Sequence, residues 1–98
     1  MGGKSILQGD TKRCYITGRT GNLHLHHIFY GRGLRQISDR EGFVVYLIPE
    51  LHNMSNDGVH FNRELDLWLK RACQAKYEET HSREEFIALI GKNYILDD

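Results

Sequence analysis

The sequence predicts a small α+β domain, two short strands followed by helices. Three observations carry this. Leu23–Phe29 alternates apolar and polar residues at the start, as a half-buried strand does, and Phe43–Ile48 is a β-branched and aromatic run. From Asn62 onward apolar residues recur at helical spacing. With 98 residues the chain makes one domain around a small core, and its 40% hydrophobic content is too high for wholesale disorder.

The elements follow in order. Residues 1–12, rich in glycine and polar groups, read as a loose leader before a single domain over 13–98. Cys14–Gly18 reads as a short strand or knuckle entering a turn, and Arg19-Thr20-Gly21-Asn22 supplies the turn chemistry. In the first strand Leu23 and Leu25 share one face, His24 and His26 the other. Tyr30-Gly31-Arg32-Gly33-Leu34-Arg35 is a glycine-rich basic loop, and Ser38–Gly42 a helical turn closed by Gly42. After the second strand, Pro49 suits the first position of a short helix through Glu50-Leu51-His52-Asn53, stopping near Gly58.

Asn62 is placed to cap a long helix. Its stripe of Leu65, Trp68, Leu69, Ala72, Cys73 and Tyr77 is expected to face the core, with Cys73 a small core residue. Ser82-Arg83-Glu84-Glu85 is a capping box that opens a last helix ending at Gly91.

Composition narrows the function classes. No apolar run approaches the roughly 20 residues a membrane span needs, and the N-terminus lacks the apolar core of a secretion signal. Two lone cysteines, Cys14 and Cys73, argue against a disulfide scaffold and for a reducing, cytoplasmic setting. The net charge of zero hides an asymmetry. Residues 1–40 carry seven Lys/Arg against two Asp/Glu, while residues 41–98 carry six against eleven. The basic half could seat a phosphate backbone, or the two halves could simply pair as an ordinary solvated surface.

The histidines carry the chemistry. Five of the six fall between His24 and His60, as His24-Leu25-His26-His27, then His52, then His60. Imidazole is the commonest metal ligand and titrates near neutral pH, so one ring can hold a metal while its neighbour takes a proton from water. His26 and His27 are adjacent on a strand and should point to opposite faces, one toward a metal and one toward a scissile phosphate. Arg32 and Arg35 follow and could clamp phosphates bidentately.

The order strand, His-His, basic loop, strand, His-bearing turn resembles the HNH endonucleases. The carrying residues are His26-His27-Ile28-Phe29, the Leu47-Ile48-Pro49-Glu50-Leu51-His52-Asn53 segment and Gly58-Val59-His60-Phe61-Asn62. More narrowly, the chain is similar to small phage or prophage HNH-type proteins, over about residues 14–62. The resemblance implies a ββα-metal core over 14–62, with a helical extension over 63–98. It implies divalent-metal-dependent hydrolysis of DNA, with His27 as general base and His26 and His52 as metal ligands. His60 is the expected further ligand, with Asn56, four residues after His52, as the alternative. His24 and Asn53 read either as surface residues or as hydrogen-bonding support behind the ligands, not as ligands themselves.

The ion could be Zn²⁺, suited to imidazoles, or Mg²⁺ or Mn²⁺, common in phosphodiester chemistry. The helical half offers a surface through which two copies could pair as a homodimer. Two departures from the family pattern stand out. Only Cys14 remains of a four-cysteine structural zinc site, the other three positions being Thr17, Ile48 and Leu51, so apolar packing must close that end. The middle Asn falls near Gly42 or Phe43, neither of which can orient a base through its side chain. A metal-stabilised nucleic-acid-binding module that has lost catalysis is therefore the alternative reading.

Overall fold

A computed structural model describes residues 4–54 and 62–95, without the side chains at positions 53 and 54. Asn56 and His60, the two candidates for the further ligand, lie outside the described residues, as does the expected helix stop at Gly58. The fold is α+β. A two-stranded antiparallel sheet joins β1 (His24–His27) to β2 (Val44–Leu47), with His24 opposite Leu47 and His27 opposite Val44. Helix α1 (Leu34–Glu41) fills the connection between them, and α2 (Arg63–Tyr77) and α3 (Arg83–Ile90) follow. Among the described residues no helix is long and apolar enough to cross a membrane.

Helix α1 begins four residues earlier than the turn expected at Ser38. Gly31, Arg32 and Gly33 all have positive φ, which coils the basic loop tightly and allows a helix to start at Leu34. Gly42 ends that helix in the left-handed conformation, φ 80°. A second constraint acts at Gly42: a Cβ there would overlap the Lys4 carbonyl oxygen.

Within the stretch expected as a loose leader, residues 5–8 are held against the domain. The Ile6 N–H donates to the Gly42 carbonyl at 3.0 Å, Ser5 is buried, and Ile6 and Leu7 pack against the core. Further along, the Tyr46 N–H donates to Gln8 Oε1 at 2.8 Å, and the Tyr15 N–H donates to the Tyr46 carbonyl at 2.8 Å. Gln8 and Tyr15 thus satisfy both backbone groups of Tyr46 on the outer edge of β2, which would otherwise stand open to water or to another chain. Glycine content suggested looseness, but Gly9 serves a turn, at φ 62° and bridged to Ser5.

Residues 14–18 form the knuckle. The Gly18 N–H donates to the Cys14 carbonyl at 2.8 Å, and the Thr17 N–H reaches Cys14 Sγ at 3.4 Å. Burial raises the Cys14 thiol, but hydrogen bonds from the Thr17 side chain and from the backbone of Thr17, Ile48 and Ile16 bring it below its ordinary value. Cys14, Thr17 and Ile48 are therefore neighbours. Cys14 and Ile48 are buried in the core, and Leu51 packs against it.

The core lies under the hairpin and is largely aromatic. Phe29 meets Phe43 and Phe86 edge-on, with ring centres 5.6 and 5.5 Å apart, and Phe43 meets Tyr77 at 5.5 Å. The caps read from sequence are in place. Asn62 accepts from the Leu65 N–H, Ser82 and Glu85 form the reciprocal capping box, and Gly91 closes α3. Cys73 and Tyr77 are buried as expected, and burial pushes the Cys73 thiol up.

Trp68 is not in the core; it is 51% exposed, with its ring 6.0 Å from that of Tyr15. The buried face of α2 is rotated to include Lys70 and Gln74. Lys70 Nζ lies 2.6 Å from Asp66 and 4.5 Å over the Tyr30 ring. Gln74 donates to Glu78 and Asn93 and accepts from the Tyr94 N–H. Satisfied in this way, two polar side chains occupy the inner face and leave Trp68 at its rim.

Candidate functional site

The alternation along β1 brings the imidazoles inward. Leu25 is 42% exposed, while His26 is 1% exposed and packs toward the segment after β2. That segment, Glu50–Met54, forms a single π-helical turn where a short α-helix was expected. Its wider turn carries His52 against β1. The His26 and His52 ring centres are 5.3 Å apart, and those of His24 and His52 are 5.1 Å apart.

His24 Nδ1 and His52 Nδ1 stand 3.0 Å apart, a hydrogen bond in which one ring donates and the other accepts. This contact engages the δ nitrogen of His52. His24 is thus placed as the partner that orients His52, the kind of support metal-binding histidines commonly have.

Among the described residues, no group of three His, Cys, Asp or Glu side chains is gathered closely enough to hold a metal by itself. The pair His26 and His52 nevertheless suits a shared ion. Two imidazoles bound to one tetrahedral ion, with metal–nitrogen bonds of about 2.0–2.1 Å, have their ring centres about 5 Å apart.

His26, His27, Tyr30, Arg35, His52 and Leu25 line one cleft of about 260 Å³. His27, the last residue of β1, therefore borders the same space as His26 although the two alternate along the strand. Arg35 sits on the first turn of α1, exposed at the cleft. Arg32 is exposed on the preceding turn, at φ 46°, and is not among the residues lining this cleft. Asn53 belongs to the π-helical turn.

Two contacts were not foreseen from sequence. The Tyr30 hydroxyl donates to Asp66 Oδ1 at 3.1 Å, so α2 holds one wall of the cleft through a network that includes Lys70. Burial, then the Asp66 carboxylate, pushes the Tyr30 phenol up to about 12. The second contact is His27 Nε2 to Asp39 Oδ1, 3.4 Å, between the end of β1 and α1. The Asp66/Lys70 spacing of four residues was a readable helix ion pair. Nothing local linked position 27 to position 39.

Comparison of the chain with models of protein families, with curated proteins and with solved structures returned no significant match.

Proposed function

We propose that this chain is a divalent-metal-dependent endonuclease of the HNH type that hydrolyses DNA phosphodiester bonds, of phage or prophage origin. The observation that carries this reading is the shared cleft. The imidazoles of His26 and His52 lie next to each other there, and His27 and Arg35 line the same space.

His26 and His52 would hold the ion, with His60 or Asn56 completing the set. When bound, the ion supplies charge stabilisation at the phosphoryl and leaving oxygens. His24 would hold the His52 ring in position through the contact between their δ nitrogens. His27 takes the proton from the attacking water, a role for which imidazole needs little tuning at neutral pH. Arg35 offers a bidentate donor to a non-bridging phosphate oxygen pair, and Arg32, one turn away, would contact the backbone outside the cleft. The basic N-terminal half supports a polyanionic substrate.

A second reading is a metal-stabilised nucleic-acid-binding module without turnover. One observation favours it. Gly42 ends a helix and Phe43 is fully buried, so neither position supplies a polar group to the cleft.

The test is nicking of supercoiled plasmid with Mg²⁺, Mn²⁺ or Zn²⁺ by the wild-type protein beside His27→Ala. The nuclease reading expects nicking with at least one metal and a loss of 10²-fold or more, in order of magnitude, in the variant. Metal bound by both proteins with no nicking by either supports the binding module instead.

A further inference from the structure

We propose that Asp39 is the positioning residue for His27, holding the ring through Nε2 so that Nδ1 is the nitrogen that takes the proton. This rests on the proposed nuclease function for its catalytic half. Its structural half stands alone.

The His27 side chain is 14% exposed, so its ring has little freedom to turn, and Asp39 Oδ1 lies 3.4 Å from Nε2. An ionised carboxylate only accepts hydrogen bonds. The nitrogen facing it must therefore carry the hydrogen, and in the neutral ring the other nitrogen carries the lone pair. The direction of the base follows from that one contact.

The carboxylate is itself held in place. Asp39 follows Ser38, which is fully buried. Ser38 Oγ accepts from the Phe29 N–H at 3.0 Å and donates to the Phe29 carbonyl at 2.7 Å. Phe29 is two residues beyond His27. The clamp therefore fixes the register of α1 against the end of β1, and Asp39 faces His27 as a result. Arg35, one helical turn before Asp39, lines the same shallow pocket with His27, Gln36 and Asp39. A phosphate drawn to Arg35 would thus arrive beside the base. The Asp39 side chain is half exposed, so its replacement should leave the fold intact.

The test has two readouts on the full chain. The first is the tautomer of His27 in metal-free protein, read by two-bond ¹H–¹⁵N correlation at pH ~8, where imidazole is neutral. Wild type and Asp39→Glu should carry the hydrogen on Nε2; Asp39→Ala should lose that preference. A wild-type ring with its hydrogen on Nδ1, or an Asp39→Ala tautomer ratio like that of wild type, overturns the proposal.

The second readout is plasmid nicking. Asp39→Ala should lower kcat on the order of 10- to 100-fold with KM little changed, and Asp39→Glu should recover part of it. Wild-type kcat in Asp39→Ala overturns the positioning role. A wild-type protein that nicks nothing under any metal overturns the nuclease reading, while the tautomer result still decides the Asp39–His27 contact.

Discussion

Replacing Ser38 with alanine removes one oxygen from the point where α1 is fastened to the hairpin. The perturbation is small in volume and large in bonding. Ser38 is fully buried, and its hydroxyl makes two hydrogen bonds to Phe29, one to the N–H at 3.0 Å and one to the carbonyl at 2.7 Å. Neither Phe29 group belongs to the β1–β2 ladder, which ends at His27. Each buried group left without its partner costs about 1–3 kcal/mol, and the alanine also avoids burying a hydroxyl, so the net loss should be about 2–4 kcal/mol. Urea unfolding followed by far-UV circular dichroism measures it. For a slope of roughly 1–2 kcal/mol per molar, the midpoint should fall by about 2 M. The same variant should loosen the His27–Asp39 contact, because Asp39 is the next residue. A midpoint within about 0.3 M of wild type would refute the reasoning, since it would mean the two bonds are replaced at no cost.

Two further predictions concern the N-terminal segment and Tyr30. Gly42→Ala should destabilise the chain by at least about 2 kcal/mol, because it combines a positive φ with overlap on the Lys4 carbonyl; thermal unfolding measures it. Tyr30 gives an alkaline prediction. An unfolded tyrosine ionises near 10, whereas the folded Tyr30 phenol is held up to about 12. Below the unfolded value both states keep the proton and the contribution of Tyr30 is complete. As pH rises from about 10 to about 12 the unfolded chain releases its proton first, so stability should fall through that window. Tyr30→Phe should show a shallower fall in chemical-denaturation experiments across the same range, and an unchanged slope would contradict the assignment.

Local chemistry made the element order readable. The strands at His24–His27 and Val44–Leu47 fall inside the runs expected from alternation and β-branching. Asn62, the Ser82/Glu85 capping box and Gly91 mark helix ends because capping depends on residues within one turn. Contacts between distant positions were not readable in this way. Gln8 reaches Tyr46 across 38 residues, and no composition rule separates such a segment from a loose leader. The inner face of α2 was misread at Trp68 because Lys70 and Gln74 are buried by partners on other elements, Tyr30 and Asn93 among them.

The site divides in the same way. The sequence singled out His26, His27 and His52 with Arg32 and Arg35, and of these all but Arg32 line one cleft. His24 was left between a surface residue and a support for the ligands, and its ring meets that of His52. Asp39 carried no signal of its own. It became a candidate only because Ser38 sets the register of α1 against the strand bearing His27.

The proposed activity depends on whether the neighbouring imidazoles of His26 and His52 bind a metal. The most direct measurement is the metal content of protein purified without an affinity tag, after equilibration with Zn²⁺ or Mn²⁺ and removal of free ion. Wild type should hold about one equivalent, falling below about a tenth in a His26→Ala/His52→Ala variant that remains folded. Retention of a full equivalent in that variant, or less than about a tenth in the wild type with either metal, would contradict it.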